Sequence, residues 1–140
     1  MIKHYSLICL IAGLIACKST QPKDTDKNDT CKPVVQDAVL YNANSDPFTI
    51  VSAVVNDKCL KIEVEYSGGC GDAEFTLVWN GSMMKSMPPQ VPMKLHLVDK
   101  DNCRSMVRKS FCFDIDQVYD GDFVILLKDF EVKLMYSKKK

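Results

Sequence analysis

The sequence predicts an all-β domain, an antiparallel two-sheet sandwich of immunoglobulin-like kind with about seven to eight strands. Three observations predict it. Apolar residues recur at every second position from Val34 onward, the period of a strand with one buried and one wet face. Pairs drawn from Gly, Asn, Asp and Pro separate these runs, as chain reversals require. No run carries the 3.6-residue period of an amphipathic helix. Alternation alone leaves a small closed barrel as the rival architecture.

The N-terminus reads as an export signal. Lys3 and His4 precede an apolar run from Leu7 to Ala16 that only Gly13 interrupts, the charged start and short greasy stretch of a secretory leader. About 10 apolar residues fall well short of the ~20 that span a bilayer as a helix. Leu14-Ile15-Ala16-Cys17 resembles the lipobox of bacterial lipoproteins. That resemblance implies removal of residues 1–16 and acylation of Cys17 on its sulfur (a diacylglyceryl group) and on its new amino group, with fatty chains such as palmitate. Several chains hold a protein to a membrane far more firmly than one does. Lys18 follows the cysteine where an Asp would be the other option, which resembles the type sorted to the outer membrane.

Residues 17–33 form the expected tether. Its sequence from Lys18, KSTQPKDTDKNDTCKP, has too little apolar surface to order itself. As a coil of ~16 residues it reaches on the order of 20 Å. Its one contact candidate is Cys31. The β-domain is expected over 34–137, with 138–140 as a solvated basic tail. Without residues 1–16 the chain is long enough for one domain and too short for two.

Each strand has its own pattern. Runs near Val34–Tyr41 and Thr49–Val55 come first, the second ending at Asn56-Asp57, a tight hairpin signal. Leu60, Ile62, Val64 and Tyr66 then alternate with charged residues. Phe75, Leu77 and Trp79 make the next strand, after Gly68-Gly69; Asn80-Gly81 and Pro88-Pro89 close it. Met93, Leu95 and Leu97 alternate with Lys94, His96 and Val98, so the latter three are expected on the wet face. Phe111, Phe113 and Ile115 come next, then Asp122–Lys128 after Asp120-Gly121. Phe130, Val132, Leu134 and Tyr136 end the series. Each large side chain buried from these runs contributes about 1.5–3 kcal/mol, so disulfides would support the core and not replace it.

Seven cysteines occur in the chain. Cys9 leaves with the leader and Cys17 takes lipid, leaving Cys31, Cys59, Cys70, Cys103 and Cys112. An exported domain meets an oxidising compartment, which favours disulfides. A Cys70–Cys103 bridge is expected. Cys59 and Cys112 share the polar faces of their strands and form a possible pair; Cys31–Cys59 and Cys31–Cys112 remain alternatives. One thiol is left over in every case.

Tyr66-Ser67-Gly68-Gly69-Cys70, then His96, then Asp101-Asn102-Cys103 and Phe113-Asp114-Ile115, resemble an uncharacterised family of Bacteroidetes-type secreted lipoproteins. That family carries Y-S-G-G-C-x-x-H-x-F, a strand histidine, D-x-C and an F-D-L segment in this order. The resemblance spans roughly 49–136 and implies architecture and location, with no activity attached. One departure matters: Ala73 stands where the pattern has histidine. With that histidine, Cys70, His96 and Cys103 would complete an S2N2 set suited to zinc. Without it, a metal site built on Cys70, His96 and Cys103 would need Asp72 or Asp101, so no metal and no cofactor is the expectation, with metal binding as the rival.

Composition and spacing exclude other classes. Lys and Arg balance Asp and Glu at 18 each, which leaves no basic excess for a phosphate backbone. Nucleic acid is not an expected partner. Met83, Met84, Met87 and Met93 with His96 are a thioether and imidazole set that suits Cu(I), though methionines also fill irregular loop gaps. Beyond the leader His96 is the one histidine, so a thiol enzyme or hydrolase would depend on pairing it with Cys70 or Cys103. Asp99/Asp101, Asp114/Asp116 and Asp120/Asp122 lack the twelve-residue spacing of an EF-hand. The sequence therefore predicts a non-catalytic binding or structural module, lipid-anchored in the cell envelope. Its expected partners are the membrane and an envelope protein or small ligand, met by loops 68–72, 82–89 and 99–103. Mass spectrometry of the protein recovered from cells is expected to find an acylated N-terminal residue at Cys17; an unmodified Met1 would overturn that reading.

Overall fold

The computed structural model describes residues 31–139, so the predicted leader and Cys17 lie outside the described residues. Nine strands and one helix run in the order β1 (Lys32–Pro33), β2 (Val35–Gln36), α1 (Ala38–Asn42), β3 (Phe48–Asn56), β4 (Cys59–Gly68), β5 (Ala73–Trp79), β6 (Gln90–Asp99), β7 (Ser105–Asp114), β8 (Phe123–Leu127) and β9 (Leu134–Tyr136). They form two packed sheets, one ordered β1-β7-β4-β3 and the other β2-β5-β6-β8-β9. This is the predicted all-β sandwich. The chain crosses between sheets after β1, β2, β4, β6 and β7, while β3–β4, β5–β6 and β8–β9 stay within a sheet.

The core obeys the period of two. Leu60, Ile62, Val64 and Tyr66 of β4 and Phe113 of β7 face Phe75, Leu77 and Trp79 of β5 and Met93, Leu95 and Leu97 of β6 in one apolar cluster. Phe75 sits at the seam, its ring edge-on to Tyr66 at 5.2 Å and to Phe48 at 5.5 Å between centroids. Such aromatic contacts add about 0.5–1.5 kcal/mol beyond area burial. At the β3–β4 hairpin Asn56 opposes Cys59, and Asp57 takes φ 54°, a conformation Asp tolerates through local hydrogen bonding.

Four expectations are corrected. The sheets are mixed, because β1 runs parallel to β7, β2 to β5 and β6 to β8. Parallel neighbours arise because the chain visits the opposite sheet between them, which alternation within one strand does not record. The strand expected at 34–41 is β2 followed by a helix. Asp37 caps that helix, its Oδ1 accepting from Val39 N and Leu40 N at 2.8 and 2.9 Å, the bonds that fix a helix start. In the final run only Leu134–Tyr136 is strand: Asp129 turns the chain at φ 63° and Val132 is exposed. Lastly, Lys138 is tied down: its Nζ pairs with Asp120 and its N–H donates to Asp122, while Lys139 pairs with Asp57.

Cys31 and β1 belong to the folded body, since Lys32 and Pro33 pair with Phe113 and Asp114. Because β1 is so short, most of β7 has no partner on that edge among the described residues. Arg108 and Lys109 lie along it, and exposed charges deter edge-to-edge pairing.

Phe113 is fully buried, so Phe113→Ala is expected to lower unfolding free energy by about 3–5 kcal/mol, read by urea titration. Val54→Ala, on the exposed side of β3, should shift it by less than about 0.5 kcal/mol.

Candidate functional site

Two of the three loops singled out in the sequence meet at one end of the sandwich. Residues 68–72 leave β4 and 99–103 leave β6, and both are held beside each other because Ala73 pairs with Asp99 at the start of β5. Lys100 N donates to Asp72 O at 3.1 Å. Asp101 then clamps the pair. Its Oδ2 accepts from Cys70 N at 2.7 Å and Gly71 N at 3.2 Å, and its Oδ1 accepts from Cys103 N at 2.8 Å. The Cys103 N–H, foremost, and those of Cys70, Gly71 and Gly69 hold the Asp101 carboxyl below its usual range, against a desolvation that raises it.

The glycines make that clamp possible. Gly69 takes φ 122°, open to glycine and strained for other residues. At Gly68 a Cβ would lie 2.7 Å from Tyr66 Cε2, so its absence makes room for the buried Tyr66 ring. Cys70 and Cys103 stand at disulfide distance, with Cα atoms 5.8 Å apart, inside the span of about 4.4–6.8 Å that a bridge requires.

The sequence-derived metal set does not assemble. Cys70, Asp101 and Cys103 offer atoms within 4.8 Å of one another, with Asp101 in the place given to His96. The Asp101 oxygens are already occupied by backbone N–H groups. His96 instead lies opposite Thr76 in mid-sheet. The methionine set separates as well: Met93 is wholly buried in the core, Met87 wholly exposed. Met93 and His96 fall on opposite faces of β6, three residues apart on a period of two. Loop 82–89 joins β5 to β6 at the far end from Cys70, since Trp79 pairs with Met93 there. The three loops therefore do not form one surface.

The carboxylate pairs serve the framework. Asp116 accepts from the Tyr136 hydroxyl and pairs with Lys58 at 3.1 Å, while Asp114 accepts from Asp116 N at 3.1 Å. The Tyr136 bond foremost, and the Lys58 one after it, hold the Asp116 carboxyl below its usual range. Burial, with the Asp116 bond second, pushes the Tyr136 phenol up to about 12.

Sequence reading missed the most unusual pair. Lys94 and His96, expected on a wet face, are 6 % and 5 % exposed. Segment 37–47 covers them. Its helix packs on β5 and β6, Ser45 Oγ accepts from Leu97 N at 2.8 Å, and Asp46 N donates to Leu97 O at 3.1 Å. The Lys94 ammonium donates to the carbonyls of Tyr41, at 3.3 Å, and of Ala43, satisfying orphan groups at a helix end. His96 Nδ1 has no partner among the described residues. Desolvation first and the Lys94 charge second lower the His96 pKa, with Asp46 opposing. The helix start at Asp37 was the available signal.

Cys31, Cys59 and Cys112 gather at the other end, half-buried, with their sulfurs within 4.8 Å of one another. Beside them Pro33, Val34, Gln36, Trp79, Asp114, Gln117 and Val118 line a cleft of about 200 Å³, smaller than usual for a ligand pocket of roughly 300–1,000 Å³. Among the described residues no helix is long and apolar enough to cross a membrane.

No family model matches the sequence, and no curated protein sequence matches it. Solved structures share the fold. A protein of unknown function from Bacteroides vulgatus is 12% identical with a TM-score of 0.53, covering 79% of this chain and 57% of its own. A NigD-like immunity protein from Bacteroides caccae is 17% identical with a TM-score of 0.51, covering 69% and 50%. A protein from Parabacteroides distasonis described as toxin-related is 16% identical with a TM-score of 0.51, covering 76% and 58%. The chain thus spans between half and three fifths of the length of these structures. What these likenesses show is the shared fold.

Because His96 resists protonation when folded, its contribution is complete above its ordinary value of 6.5 and is lost as pH falls through 6.5 toward the lowered value. Asp101 and Asp116 are held below 3.8 and lose their contribution only at lower pH, near and below that value. The melting temperature should therefore drop between about pH 7.5 and about pH 5. In His96→Gln that drop should disappear.

Proposed function

We propose that this protein is a non-catalytic binding module of the cell envelope, anchored by lipid on Cys17, that offers its 68–72 and 99–103 end to an envelope protein. The observation that carries the reading is the Asp101 clamp, which fixes two exposed loops in one relative position. Preset loops on a rigid scaffold bind without a large ordering cost. Disulfide-distance Cys70 and Cys103 add to that preorganisation. The carboxylates that could have served acid–base chemistry are engaged in framework bonds, which supports binding over catalysis. A fold shared with a protein described as NigD-like immunity is compatible with such a role. Outer-membrane placement rests on Lys18 following Cys17.

The test is site-specific photocrosslinking of the full chain in its native envelope. A photoreactive residue at Asn102 is expected to give one discrete protein adduct, and the same residue at Lys85, at the opposite end, none. Absence of an adduct at position 102, or the same adducts from both positions, would overturn the proposal.

A further inference from the structure

The outer face of the four-stranded sheet carries three cysteines at one place. Lys61 pairs with Cys112 and Cys59 pairs with Asp114, so the two cysteines are diagonal neighbours on adjacent strands. Their faces point away from the core, since Leu60, Ile62 and Phe113 between them are buried. Cys31 arrives beside Cys112, one residue ahead of the Lys32–Phe113 pair. The Cα of Cys31 lies 6.6 Å from that of Cys59 and 4.6 Å from that of Cys112. Both separations fall inside the span of about 4.4–6.8 Å that permits a bridge without backbone movement. A sulfur forms one disulfide at a time. The triad therefore has room for one S–S bond with one thiol left over, and Cys31 can take either partner.

We propose that Cys31, Cys59 and Cys112 form a thiol–disulfide exchange site, with Cys31 the shared sulfur, Cys112 the attacking thiol and small-molecule disulfides the external substrate class. Charge assigns the roles. Lys61 stands directly across from Cys112 and Asp114 directly across from Cys59, at the close spacing of cross-strand pairs. An ammonium favours a thiolate beside it, and a carboxylate opposes one. The resting arrangement is thus a Cys31–Cys59 bond with the thiol on Cys112.

The exchange has an internal and an external step. Internally, the Cys112 thiolate, its proton released to water, attacks Cys31 Sγ. A Cys112–Cys31 bond forms as the Cys31–Cys59 bond breaks, Cys59 leaves as thiolate and takes a proton from water, and no net oxidation occurs. Externally, the Cys112 thiolate attacks one sulfur of a small disulfide. A mixed disulfide forms on Cys112, the other half departs as a thiol after protonation, and the cysteine is oxidised as the departing sulfur is reduced.

The experiment uses the full chain purified without reductant, trapped by acid alkylation and mapped by mass spectrometry. Wild type should yield mainly Cys31–Cys59 linked peptides, with a minor Cys31–Cys112 species. Glutathione disulfide should add to Cys112. Lys61→Glu, on an exposed site, should slow that addition by on the order of tenfold at unchanged melting temperature. Cys112→Ser should lock Cys31 to Cys59 and abolish the adduct, and Cys59→Ser should lock Cys31 to Cys112. Three free thiols would overturn the proposal. So would a single Cys31 linkage whose leftover thiol ignores glutathione disulfide, or an addition rate indifferent to Lys61→Glu.

Discussion

The central strand of the five-stranded sheet is packed on both faces, and the rest of the architecture depends on that. Val91, Met93, Leu95 and Leu97 of β6 fill the space between the sheets, while Lys94 and His96 on the reverse are sealed by segment 37–47. Burying an ammonium is costly unless donors and acceptors are matched. Here the last carbonyls of a one-turn helix do the matching, so helix and lysine each satisfy what the other leaves unpaired. The same segment supplies hydrogen bonds to Leu97 where β8, paired to β6 only over Gln90–Met93, has turned away.

The sandwich was legible because large apolar residues recur at every second position of β4, β5 and β6, and those residues are buried. The hairpin at Asn56-Asp57 was legible for an equally local reason, turn chemistry between two strands. Parallel pairing was not, because it depends on which sheet a strand joins after crossing, and no residue in the strand encodes that alone. Burial of Lys94 and His96 escaped for a related reason: period two identifies two faces, but not whether a distant segment returns to cover the second one. At the candidate site the sequence brought Cys70 and Cys103 to attention through spacing. It could not give Asp101 its part, since a carboxylate that caps three backbone N–H groups looks, in sequence, like one free to bind a metal.

The two ends of the sandwich differ in kind. At one, a carboxylate and two glycines freeze a pair of loops, and both oxygens of the Asp101 carboxylate are spoken for. At the other, three sulfurs converge where a sulfur can satisfy only one neighbour, so the chemistry is left with a remainder. Rigidity and reactivity are thereby separated by the length of β4, which runs from Cys59 at one end to Gly68 at the other.

The position of Cys31 also decides how the domain bears mechanical load. A pull arriving from the N-terminal side would otherwise fall on β1, a two-residue strand held by few hydrogen bonds and easily peeled away. With Cys31 bonded to Cys59 or Cys112, the force enters through sulfur directly into β4 or β7, the two inner strands of that sheet. Those strands pair along ten residues. Traction on the chain is thus spread over the longest ladder among the described residues, and the two-residue β1 is bypassed.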